Sequence, residues 1–90
     1  MSNIIKNFNT IGEIIKFYRK RAEYSQSQLE IESELASGSL TRIEKNKVSP
    51  TKETISKVGK ALDLNPMELA YLFEVNLYRE NNNSSIKNKV

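Results

Sequence analysis

Between positions 37 and 43 the chain sets Ser37, Gly38, Ser39, Thr41 and Arg42 close together, with Leu40 and Ile43 as the apolar residues among them. Small hydroxyls donate and accept hydrogen bonds without bulk, and an arginine guanidinium is a planar fork that holds two acceptors at once. Such groups recognise a polar or anionic surface; they do not make or break covalent bonds. Candidates for reaction chemistry are missing from the rest of the sequence. It has no His and no Cys, no glycine-rich phosphate loop, and carboxylates scattered without a cleft-forming pair. The reading is a non-enzymatic chain that needs no metal or other cofactor.

The charge is distributed to match. The formal net charge is only +3, which decides little by itself. Between Arg42 and Lys60, however, six basic residues (Arg42, Lys45, Lys47, Lys52, Lys57, Lys60) stand against two acids, Glu44 and Glu53. From Glu30 to Glu34 there are three acids and no base. A basic stretch directly behind a hydrogen-bonding face suits a polyanionic partner. No apolar run approaches the roughly 18 residues of a membrane span, and residues 1–10 lack the apolar core of a signal peptide. With no thiols to oxidise, the expected location is the cytoplasm, at the nucleoid.

Positioning these residues requires elements, and the sequence punctuates five of them, all helical. Thr10 with Glu13 three residues on is a capping box for a first helix to about Ala22, with Ile11, Ile14, Ile15 and Tyr18 on one face. Ser25 with Gln28 opens a short second helix to about Ser33. A third runs from Ser37 to Lys45, closed by Asn46, which tolerates the left-handed conformation. Thr51 precedes a fourth with Ile55, Val58, Ala61 and Leu62 inward, and Asn65, Pro66 and Glu68 open the fifth. Nothing alternates with the period of a strand. The fold class is all-α, with residues 1–9 as an N-terminal arm, 10–79 as the domain and 80–90 as a polar tail expected to be disordered.

The second helix, its turn and the third helix together span Ser25 to Lys45, the length of a DNA-binding helix-turn-helix. From Ile11 to Leu69 the chain resembles, without a gap, the Cro/C1-type helix-turn-helix family of xenobiotic-response-element-like regulators. The resemblance rests on Ile11-Gly12-Glu13, Arg19-Lys20, Ser25-Gln26-x-Gln28-Leu29, Leu40-Thr41-Arg42-Ile43-Glu44-x-Asn46-Lys47, Pro50-Thr51-x-Glu53-Thr54 and Lys60-Ala61-Leu62, in that order.

This resemblance implies a compact five-helix, lambda-repressor-like domain that binds double-stranded DNA and regulates transcription, with repression as the expected sign. It implies that Gln26 braces a phosphate or reaches a base edge, and that Ser37, Gly38 and Arg42 occupy the main base-reading positions on the third helix. Ser39 and Thr41 fall to phosphate or sugar; Lys45, Asn46 and Lys47, joined by Lys52, meet the backbone. Arg19 and Glu44 match an internal ion pair tying the first helix to the end of the third. An antitoxin or protein-interaction module of a toxin–antitoxin or phage-type system is the alternative that the same resemblance leaves open.

Two departures from the family pattern bear on geometry. Glu30 stands where Ala is usual, and Glu34 where the turn usually has Gly. A buried carboxylate needs partners, so Glu30 is expected to accept amides at the start of the third helix, with Gly38 leaving it room. The fifth helix carries Met67, Ala70, Tyr71, Leu72, Phe73, Val75 and Leu77, more apolar surface than one small core requires. The surplus suggests a homodimer through this helix, and hence a roughly palindromic operator.

Overall fold

The computed structural model describes residues 10–89, with side chains described from 10 to 77. The expected N-terminal arm, 1–9, lies outside the described residues. Among them are five helices and no strand: α1 (Ile11–Arg21), α2 (Gln26–Glu32), α3 (Ser39–Glu44), α4 (Lys52–Ala61) and α5 (Pro66–Lys89). The backbone of α5 thus continues as helix through most of the segment read from composition as a tail.

Local hydrogen bonds set the starts of four helices. The Thr10 hydroxyl accepts from the Glu13 amide, and the Thr51 hydroxyl from the Thr54 amide. Both halves of the Ser25–Gln28 box are made, at 3.0 and 2.9 Å. Asn65 and Glu68 exchange a second reciprocal pair at 2.8 and 3.1 Å. Each such cap satisfies amides that the first turn cannot bond internally.

The third helix departs from the sequence reading. It starts at Ser39, two residues later than expected, because Gly38 adopts φ +87°, in the left-handed region, and breaks any helix begun at Ser37. Ser37 and Gly38 therefore precede the helix and do not lie on it.

Helix ends follow one pattern. After each of α1 to α4 the next-but-one residue is left-handed: Glu23 (φ 63°), Glu34 (60°), Asn46 (62°) and Asp63 (55°). Paired bonds close each end, as in Tyr24 N–H to Arg19 C=O at 3.1 Å with Glu23 N–H to Lys20 C=O at 3.0 Å, and Leu35 N–H to Glu30 C=O at 2.8 Å with Glu34 N–H to Ile31 C=O at 3.2 Å. These are Schellman motifs, which usually carry glycine at the left-handed position. The residue that follows, Tyr24, Leu35 or Leu64, packs onto the core in three of the four. At Glu23 and Glu34, where glycine is absent and the side chain is not Asn or Asp, the turn carries strain of about 1–2 kcal/mol. Glu34→Gly is therefore expected to raise stability by about 1 kcal/mol after allowing for glycine's freer unfolded chain, read as a higher urea midpoint. An unchanged or lower midpoint would refute the strain.

One core joins all five helices. Ile11, Ile14, Ile15 and Tyr18 of α1 meet Leu29 of α2, Leu40 and Ile43 of α3, Ile55 and Val58 of α4 with Leu62 at its end, and Leu72 of α5. Burial of this order is the main favourable term for a domain without disulfides. Arg21 lies 4.8 Å over the Tyr18 ring and bonds Glu68 at 2.7 Å, tying α1 to α5. That bond, more than the Asn65 amide, holds the Glu68 carboxyl below its ordinary range.

Candidate nucleic-acid interface

α3 is six residues long, too short to persist by propensity, so its position comes from tertiary contacts. Leu40 and Ile43 point inward at 0% and 4% exposure. Its N-terminus has no side-chain cap of its own, since Gly38 has no side chain to offer. Glu30 of α2 supplies one instead. This carboxylate is 6% exposed, and its Oε2 accepts from the Gly38 amide at 3.0 Å and the Leu40 amide at 2.9 Å. The part assigned to Gly38 needs correcting. A Cβ there would meet only an Arg42 guanidinium nitrogen at 3.5 Å, ordinary contact. Gly38 is required for its backbone angle, which turns the amides toward Glu30, and not to leave room.

The C-terminal end of α3 is fixed twice. Arg19 reaches across from α1 and holds Glu44 with two bonds, Nε at 2.7 Å and Nη2 at 3.1 Å, while Nη1 donates to the Tyr24 carbonyl at 2.8 Å. Both side chains of this pair are largely buried, at 9% and 4% exposure. With its Nε and both terminal nitrogens each making a bond, Arg19 is fixed in place, and the pair orients α3 more than it stabilises the fold. Gly12 is the second fixture, and composition gave it no role beyond opening α1. A Cβ at this position would collide with the Ile43 carbonyl oxygen and stand 2.9 Å from Asn46 Oδ1 and 3.2 Å from Glu44 Cα. The backbone of α1 therefore rests directly on the last turn of α3. A glycine inside a helical pattern is the signal that could have flagged it.

Between these anchors the expected binding residues divide. Ser37, Arg42, Lys45, Asn46 and Lys47 are exposed, as is Lys52 at the start of α4, and Gly38, Ser39 and Thr41 are half-buried beside them. Apart from Lys52, these residues run from the turn before α3 to the loop after it. Asn46 differs from its neighbours in that its Oδ1 lies against α1 at Gly12. Gln26 also differs from the simple expectation of a free bracing group. Its Nε2 donates to Glu44 Oε1 at 2.9 Å, and its Oε1 accepts from the Thr41 hydroxyl at 2.9 Å. Gln26, itself half-buried, is thus a member of the same hydrogen-bond network as Arg19 and Glu44.

A short helix held at both ends by neighbouring helices, with its polar side outward behind a preceding short helix and turn, is the geometry of a helix-turn-helix. A family model described as helix-turn-helix matches residues 15–69 of this sequence. The chain belongs to the Cro/C1-type helix-turn-helix family. Within that family it is 38% identical over 65 residues to the HTH-type transcriptional regulator SlrR of Bacillus subtilis (strain 168). The alignment takes in 71% of this chain and 41% of SlrR, so the chain spans less than half the length of that relative. No solved structure matches. The all-helical fold accords with the family, and no described helix is long and apolar enough to cross a membrane.

Proposed function

We propose that the protein is a sequence-specific DNA-binding transcriptional regulator, acting as a repressor, that lays α3 in the major groove. The reading rests on exposed Arg42 of α3, with exposed Ser37 in the turn before the helix and exposed Lys45 and Lys47 just after it, on a helix that neighbouring elements hold at both ends. A major groove about 12 Å wide admits a helix of this kind. Arg42, exposed and long, has the reach to take guanine O6 and N7 together. Lys45 and Lys47, both exposed, would neutralise phosphates, which fixes register without reading sequence.

The fifth helix supports a dimer. Its inward side buries Leu72 and packs Leu69 and Val75 on the core, while Met67 is 83% and Leu77 49% exposed. Met67, Ala70 and Leu77 are exposed at helical spacing on the outer side, a stripe suited to a second copy of the chain. Two copies would present α3 to half-sites about 10 base pairs apart on a roughly palindromic operator.

Selection of binding sites from random duplexes, with the mass of the protein measured in parallel, tests the whole proposal. Arg42→Ala should reduce affinity by about 1–3 kcal/mol and relax preference at one base pair. Lys47→Ala should weaken all sequences alike and make the salt dependence shallower by about one phosphate. Identical behaviour of the two variants would end the division of labour, and failure to enrich any sequence would end the reading itself.

A further inference from the structure

The hydrogen bonds of Gln26 decide what this residue can read. Glu44, held as a carboxylate partner by Arg19, can only accept, so the Gln26 nitrogen must face it and the amide orientation is fixed. The Thr41 hydroxyl then commits its single proton to Gln26 Oε1. What remains is specific in kind. A carboxamide nitrogen has two protons and its oxygen two lone pairs, so Gln26 keeps one N–H and one acceptor position. Thr41 keeps lone pairs and its methyl group, and no proton.

A phosphate has only acceptors to offer. Against it the free Gln26 N–H would be favourable, but Oε1, the Thr41 oxygen and the Glu44 carboxylate would stand as three acceptors beside an anion. Base edges differ. Guanine presents two acceptors to the major groove, and thymine an acceptor and a methyl group; cytosine presents a lone donor. Adenine presents a donor, N6–H, beside an acceptor, N7, which is the complement of a carboxamide with one oxygen and one N–H available.

We infer that Gln26, set by Thr41 and Glu44, is a specificity-determining residue that reads adenine in the operator half-site and does not serve as a phosphate brace. This rests on the DNA-binding reading proposed above. It adds a second base to the guanine assigned to Arg42. It also removes Thr41 from the phosphate contacts, because its hydroxyl has no proton left to donate to one.

The test is site selection from random duplexes with the full chain and with Gln26→Ala, Thr41→Val and Arg42→Ala, each followed by binding titrations at several salt concentrations. The unaltered protein should enrich adenine at one half-site position, and Gln26→Ala should lose that preference by on the order of ten-fold or more. Thr41→Val keeps the shape of the side chain and removes the proton, so it should weaken the same adenine preference. Arg42→Ala should leave that preference intact and relax another position. A uniform loss across all duplexes in Gln26→Ala, with a shallower salt dependence, would instead make Gln26 a phosphate contact and overturn the inference. So would guanine or thymine at the position it controls. If Gln26→Ala fails to fold, the near-isosteric Thr41→Val decides by the same criterion. A protein that enriches no sequence overturns the DNA-binding reading, an outcome distinct from enrichment without the adenine.

Discussion

Gly12→Ala is expected to lower stability by about 3 kcal/mol, although alanine is the better helix former by about 1 kcal/mol. Two effects oppose each other at this site. In an open helix the propensity term would win. Here the added carbon meets the Ile43 carbonyl oxygen and the Glu44 Cα, both backbone atoms at the end of α3, and neither can rotate away as the tip of a long side chain could. Accommodation requires α1 and α3 to separate by a few tenths of an ångström or more. That movement would loosen contacts made by Ile11, Ile15 and Ile43 in a close-packed core. Against a total of about 5–15 kcal/mol for a typical domain, the loss is large. Urea unfolding should show a lower midpoint with unchanged slope. A variant as stable as the parent would mean that helix propensity outweighs the contact and that the α1–α3 approach is softer than the structure implies.

The parts of the fold legible in the sequence are those made by neighbours along the chain. Thr10, Ser25, Thr51 and Asn65 bond amides three residues ahead, so their residue types announce helix starts directly. The core face of α1 and α4 follows from helical spacing for the same reason. What stayed hidden depends on groups distant in sequence. The start of α3 lies two residues beyond the expected one, because its cap is no residue beside it but a carboxylate from α2, eight and ten residues away from the amides it receives. Glu30 itself was anticipated, since a buried acid must find donors, but its relation to Gly38 was mistaken for one of space. Gln26 was singled out for its type, yet its partners Thr41 and Glu44 lie 15 and 18 positions away and give it a fixed orientation that no spacing rule supplies. The left-handed turns at Glu23 and Asp63 have no sign in the sequence because glycine, their usual mark, is absent from both, and Glu34 shows only through the family's usual glycine at that place.

The second large effect concerns that distant cap. Glu30→Ala is expected to lower stability by about 3 kcal/mol and to impair DNA binding beyond what the lost stability explains. Two terms compete again. Removing a buried carboxylate relieves its desolvation, which amounts to several kcal/mol for an isolated ion. Yet Glu30 accepts two amide bonds, each worth about 1.5–3 kcal/mol to a charged group, and the Leu40 bond is fully buried, so water cannot replace it at once. Orphaned amides would be left at the first turn of a six-residue helix that has no cap of its own. The family resemblance makes alanine the usual residue here, but in this chain that change would not restore a working arrangement, because Gly38 offers no oxygen in exchange. Glu30→Gln keeps an accepting oxygen without the charge and should lose less, about 1 kcal/mol. Hydrogen exchange locates the effect: the Gly38 and Leu40 amides should lose protection in Glu30→Ala more than amides of α4 do. Equal protection at Leu40 in the variant and the parent would show that α3 is held by its buried leucine and isoleucine alone. In that case the carboxylate would be a passenger in the turn.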